Sequence, residues 1–319
     1  MNTTLNHEEI AQQLKGRDFL GLTDYSPEEI RYLLDFAIEL KRKRKAGEVY
    51  QPLLGKTLGM IFEKSSTRTR VSFEVGMFQL GGHALFLSKN DIQMGRGETI
   101  RDTAQTMSRY LDGIIIRTFG HRNVIELARG ATIPVINALS DRSHPCQALA
   151  DYQTVLEKKG RLEGLKVAYI GDGNNMSHSL MMGAAKLGMH FASASPEGYD
   201  PDAEVVKSSR DVASQTGGRI DIVRDPREAV EGADIVYTDV WASMGFEEEQ
   251  KERERAFGSY QVNEELVASA KSDYLFMHCL PAHRGEEVSE GVIDGKHSVI
   301  FDEAENRLHA QKAIMAAIM

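Results

Sequence analysis

The sequence predicts an α/β protein made of two doubly wound parallel-sheet domains joined by inter-domain helices. Short apolar runs alternate with amphipathic stretches along the chain, the pattern of strands crossing over through helices. The series restarts after Lys158-Lys159-Gly160, and 319 residues exceed what one compact core usually encloses. An opening helix is expected within Tyr25 to Lys45, where Ile30, Leu33, Leu34, Phe36, Ala37 and Leu40 recur at helical spacing behind Ser26-Pro27-Glu28-Glu29. The first strand series reads Leu58–Phe62, Ala84–Leu87, Gly113–Arg117 and Pro134–Leu139. The second reads Lys166–Gly171, Phe191–Ser195, Ile220–Val223, Ile235–Val240, Tyr274–Leu280 and Ser298–Phe301. The expected division is 1–148 and 149–302, joined by the helix that follows His144-Pro145, with a C-terminal helix 303–319 packing back on the first domain.

Charge and composition narrow the partners. A formal net charge of −9 argues against nucleic acid or an anionic membrane surface, so any anionic substrate must be drawn in by a local basic pocket. Two cysteines, Cys146 and Cys279, fit a reduced compartment without a disulfide framework. The polar N-terminus, with Glu8 and Glu9, resembles neither signal nor transit peptide, and no apolar run approaches membrane length. A cytoplasmic protein is expected. The mixed run Glu247 to Arg255 reads as a solvated helix face, the functional alternative being a flap hinged at Gly245 and Gly258.

Chemistry concentrates at strand ends. Ser65-Ser66-Thr67-Arg68-Thr69-Arg70 follows the first strand and opens a helix, where unpaired N–H groups, hydroxyls and guanidinium groups together suit a phosphate. A capped helix with solvated arginines explains the same residues taken alone. Gly171-Asp172-Gly173-Asn174-Asn175-Met176 invites a dinucleotide reading, but the third glycine is missing and no acidic residue ends the next strand cleanly. That turn can still hold a carboxylate, with the Asn175 amide donating. His144-Pro145-Cys146-Gln147 and His278-Cys279-Leu280-Pro281 close two further strands. Cys146 reads as a small buried hydrophobe, and Pro281 should keep Leu280 extended with carbonyls facing outward. His144 and Cys146 lack a companion pair at ligand spacing, so no metal is expected. Arg117 and Arg307 add cations at element boundaries.

Ser66-Thr67-Arg68-Thr69, His144-Pro145-Cys146-Gln147 and His278-Cys279-Leu280-Pro281 together resemble the aspartate/ornithine carbamoyltransferase family, over essentially the whole chain. Asp239 followed by Ser243-Met244-Gly245 resembles its ornithine-specific branch. The resemblance implies a first domain that binds carbamoyl phosphate and a second that binds the amino acid, with no metal or organic cofactor. It implies that Ser66, Thr67, Arg68 and Thr69 hold the phosphate, that Arg117 bridges phosphate and carbamoyl oxygen, and that His144 with Thr69 polarises the carbamoyl C=O. Gln147 and the carbonyls of Cys279 and Leu280 would orient the carbamoyl NH₂, and Arg307 would join the carbamoyl phosphate site. Gln93, in Asp91-Ile92-Gln93-Met94-Gly95, resembles a family position near a subunit boundary, which makes a homotrimer or an assembly of trimers the expected state.

Charge matching selects the acceptor. Asp239 and Ser243 suit an α-ammonium, while Asn175 and the Met244 backbone suit an α-carboxylate. Aspartate would demand extra cations, and putrescine would leave Asn175 without a purpose. The expected product is L-citrulline, formed from L-ornithine in arginine metabolism. The alternatives are a carbamoyltransferase for another amine such as putrescine, or a non-catalytic relative that binds these ligands.

Overall fold

The computed structural model describes residues 6–94, 96–242 and 249–319. The chain forms two compact units, Met1–Gln153 with Glu305–Met319, and Thr154–Ala304.

In the first unit the order is α1 (His7–Leu14), α2 (Pro27–Lys45), β1 (Thr57–Phe62), α3 (Thr67–Gln79), β2 (His83–Ser88), α4 (Ile100–Met107), β3 (Gly113–Arg117), α5 (His121–Gly130) and β4 (Val135–Leu139). Helix α2 begins where the sequence places it: Ser26 accepts from the Glu29 N–H, Glu29 reaches back to the Ser26 N–H, and Pro27 supplies the first helical φ. The four strands are parallel in the order β2-β1-β3-β4. Inner strands β1 and β3 are nearly continuously buried, as parallel strands covered on both faces must be; β4, at one edge, is buried as well, its outer side meeting Phe19 in an isolated bridge to Ile136. Edge strand β2 is only partly covered. Its core gathers Ile61, Ile114, Ile116, Val124, Leu127 and Val135.

Helix α6 (Pro145–Lys159) leads to the second unit: β5 (Lys166–Ile170), α7 (Asn175–Lys186), β6 (His190–Ala194), α8 (Ala203–Thr216), β7 (Arg219–Val223), α9 (Pro226–Val230), β8 (Ile235–Thr238), α10 (Gln250–Phe257), α11 (Glu264–Val267), β9 (Leu275–His278) and α12 (Glu290–Ile293). Helix α13 (Ile300–Ile318) closes the chain. The sheet is parallel, in the order β7-β6-β5-β8-β9. Strand order reverses beside β1 in one sheet and beside β5 in the other, the switch points at which open α/β sheets bind ligands. Among the described residues no helix is long and apolar enough to cross a membrane.

Four expectations change. Ser298–Phe301 is not a strand: Ser298 makes a single bridge to Phe276, which donates to His297 O and accepts from Val299 N, and helix α13 starts at Ile300. Leu280 is not extended but left-handed at φ 57°, ahead of a cis bond to Pro281. Gly258 keeps helical backbone (φ −54°, ψ −30°) and passes into a 3₁₀ turn, so the chain does not break there. Within the charged run, Arg253 is buried and not solvated. Gly245 lies outside the described residues.

Candidate active site

In the first unit, the opening motif forms the start of α3. Ser66 is the N-cap: its backbone is extended at φ −163° and its Oγ accepts from the Thr69 N–H at 3.2 Å. Thr69 is buried, and its Oγ1 accepts from Ser66 Oγ at 3.1 Å and from Arg307 Nη2 at 3.3 Å. Arg307, on α13 and 3% exposed, donates through Nη1 to Gln147 Oε1, and Gln147 Nε2 donates to Asp151 at 2.8 Å. Gln147 sits in the first turn of α6, so two helix N-termini are represented in this set. Arg117 ends β3, buried, where the β3–β4 register shifts by one residue.

Buried His144 reports the field these cations make. Burial first, then the guanidinium groups of Arg307, Arg117 and Arg68, hold its imidazole well below the ordinary value of 6.5. At neutral pH the ring is therefore uncharged, with one N–H to donate and one nitrogen lone pair to accept. Burial pushes the Cys146 thiol up to about 12, so it stays protonated and unreactive. Gln93 is exposed in the loop after β2, between buried Ile92 and Met94.

In the second unit the Gly171 to Asn175 turn joins β5 to α7. A β-carbon at Gly173 would stand 2.1 Å from Pro201 N, so glycine is required by close approach. Asn174 is the N-cap: its Oδ1 accepts from Met176 N at 2.9 Å, Ser177 N at 3.3 Å and Tyr169 Oη at 3.1 Å. Its Nδ2 donates to Asp239 Oδ2 at 3.0 Å. Buried Asp239 follows β8, and its Oδ1 accepts from Val240 N at 2.8 Å and from the Cys279 thiol at 3.2 Å. Asp172 donates nothing and receives Arg253 Nη1 at 2.7 Å; burial raises its carboxyl above the usual range while that guanidinium opposes the rise.

The structure thus gathers Ser66, Thr69, Gln147 and Arg307 by direct bonds, and Arg68, Arg117 and His144 by field, in one unit. Asp239 and Cys279 meet in the other, with Asn175 one residue beyond the Asn174 cap and Leu280 one residue beyond Cys279. Thr67 is exposed in the first turn of α3. Ser243 and Met244 lie outside the described residues. Arg70 pairs with Glu74 and lies over the Phe86 ring at 3.8 Å, a structural role. Sequence reasoning missed Asn174 as Asp239's partner, although an asparagine between a strand and a helix is itself a cap signal.

A family model described as the carbamoyl-P binding domain of aspartate/ornithine carbamoyltransferase matches residues 17–157, and one described as its Asp/Orn binding domain matches residues 163–318. The chain belongs to the aspartate/ornithine carbamoyltransferase family. It is 62% identical over 319 residues to an ornithine carbamoyltransferase from Oceanobacillus iheyensis, covering 99% of each chain. It is 64% identical over 307 residues to another from Anoxybacillus flavithermus, covering 96% of this chain and 98% of that one. The solved ornithine carbamoyltransferase of Pyrococcus furiosus superposes with a TM-score of 0.94 at 57% identity, covering 96% of this chain and 98% of that one.

Proposed function

We propose that this chain is a transferase that moves the carbamoyl group of carbamoyl phosphate to the δ-amine of L-ornithine, giving L-citrulline and phosphate. The observation that carries this reading is the convergence of Arg68, Arg117 and Arg307 on one buried, neutral imidazole in the unit matched by the carbamoyl-P model. Three guanidinium groups with a capped helix start suit a phosphate dianion. The carbamoyl oxygen needs donors that strengthen as the carbon becomes tetrahedral; the N–H of neutral His144, Thr69 and Arg117 fill that role. Gln147 and the Cys279 and Leu280 carbonyls receive the carbamoyl NH₂.

The nucleophile must be neutral. An alkyl amine near pKa 10.4 costs about 4–5 kcal/mol to deprotonate at pH 7. Desolvation lowers that cost, and Asp239 supports the α-ammonium at the other end of the same molecule. In the transfer a bond forms between the δ-nitrogen and the carbamoyl carbon, the bond from that carbon to the phosphate oxygen breaks, and the amine proton leaves on phosphate. Asn175, Ser243 and Met244 complete the acceptor side.

The same reading places the chain in arginine biosynthesis in the cytoplasm, where Cys146 and Cys279 remain thiols. It also makes the chain a homotrimer. Support comes from an apolar surface on the first unit, Val71, Val75 and Phe78 of α3 with Leu54 and Leu85, of which Phe78 is 76% exposed. A panel of ornithine, putrescine, N-acetylornithine and aspartate at fixed carbamoyl phosphate tests the reaction. Citrulline should form from ornithine at least about 10³-fold faster than any product from the others, since each lacks a group that the site pairs. No citrulline above background would refute the reading.

A further inference from the structure

The turn His278 to His283 is held by an arrangement that the residues so far assigned do not explain. His278 and Glu287 are both fully buried and 3.0 Å apart, Nε2 to Oε1. The Leu280 N–H donates to His278 Nδ1 at 2.9 Å, so Nδ1 is the acceptor and the ring proton sits on Nε2, donated to Glu287. The same Glu287 oxygen accepts the His283 N–H at 2.7 Å. One carboxylate oxygen therefore ties the first residue of the turn to the last, and the imidazole ties the middle. On the strand side, Glu303 accepts the His278 N–H at 3.0 Å and the Tyr237 hydroxyl at 3.1 Å.

This framework holds Leu280 at φ 57°, left-handed backbone that a non-glycine residue rarely adopts. Left-handed backbone at a branched residue persists where the surroundings over-determine it, and such places cluster at functional sites. A buried carboxylate with an imidazole is also a poor way to gain stability, since well-packed apolar groups of similar volume do as well or better. The arrangement makes sense if what it delivers is direction: the carbonyls of Cys279 and Leu280 lie between its anchor points.

We infer that the His278–Glu287 pair is a positioning device that aims the Cys279 and Leu280 carbonyls at the carbamoyl NH₂, setting turnover more than ornithine affinity. The inference rests on the function proposed above. Both side chains act through the backbone of the turn and not by touching substrate.

The test measures citrulline formation by the full-length chain at saturating substrates, with ornithine KM and thermal unfolding alongside. Glu287→Gln keeps an acceptor oxygen for both N–H donors, whereas Glu287→Leu keeps volume without one. The Leu variant should lose on the order of 100-fold in kcat with ornithine KM within about threefold, and the Gln variant should stay within about fivefold of the parent. Equal losses in the two, or an undiminished kcat in folded Glu287→Leu, would overturn the inference. Should Glu287→Leu fail to fold, His278→Asn against His278→Leu decides. An asparagine oxygen can accept the N–H two residues ahead, so Asn should exceed Leu at least about tenfold in kcat, and equality would overturn the inference. A parent chain that makes no citrulline would instead refute the proposed reaction, a result separate from all of these.

Discussion

The two units carry charged side chains at corresponding places, the carboxyl ends of strands beside the reversal of strand order, but with opposite sign. In the first, Arg117 ends β3 and Arg307 and Arg68 join it around an uncharged His144. In the second, Asp239 follows β8 and Asp172 follows β5. Both use the same backbone resource, a helix N-terminus with a side-chain cap, Ser66 on α3 and Asn174 on α7. The helix start favours anions in either unit, so the side chains decide what binds. Guanidinium groups reinforce that preference for a phosphate, whereas a carboxylate placed next to it creates a site for a molecule with both charges. The caps differ accordingly. Ser66 hands its hydroxyl on to Thr69, while Asn174 spends its oxygen on the helix and its amide on Asp239.

The contrast can be broken most severely at Arg117. If Arg117 holds the phosphate as proposed, Arg117→Met should reduce kcat/KM for carbamoyl phosphate by at least about 10³-fold, with a much smaller effect on ornithine KM. Comparable losses for both substrates, in steady-state kinetics varied in each, would mean that the units do not divide the work as described.

Asn174→Asp sharpens the comparison with a smaller effect. The cap survives, but the donor to Asp239 becomes a second carboxylate, so ornithine KM should rise about 10- to 100-fold while carbamoyl phosphate KM stays within about threefold. Unchanged ornithine KM would show that the Asn174 to Asp239 bond does not shape the acceptor site.

The smallest effect concerns a cation away from both sites. Lys312 is buried on α13 and donates to Gln79 Oε1 at 3.0 Å; burial, with Arg44 adding to it, pulls its amine down to about 8. Between about pH 8 and 10.5 the unfolded chain binds more protons than the folded one, so Lys312 costs stability at pH 7 and the cost fades as pH rises through that window. Lys312→Met should raise Tm by about 2 °C at pH 7, with the gain shrinking towards pH 10 and citrulline formation unaffected. A gain that grows with pH would show the sign to be wrong.

The strands were legible because inner parallel strands are short, apolar and separated by amphipathic helices; Gly113–Arg117 was read to its exact ends. The opening helix was legible from its capping box. What the sequence could not show depends on partners far along the chain. Asn174 meets Asp239 across 65 positions, and Arg307 meets Thr69 across 238. Arg253 reads as a surface charge until Asp172 and the Trp241 carbonyl receive it. Proline after Leu280 biases that residue to extended backbone, and the His278 acceptor overrides the bias with a bond that no local pattern announces. Ser298–Phe301 reads as a strand from its short apolar run, but only Ser298 pairs, in one bridge to Phe276 of β9, before α13 begins at Ile300.

The close approach of Gly173 to Pro201 bears on how this site can change over evolutionary time. A turn that presses its backbone against another backbone has no room for a side chain at that position. It therefore offers no lever there for altering acceptor preference. Change in that turn is left to Asn174, whose side chain caps α7 and holds Asp239, while Gly173 beside it stays bare backbone.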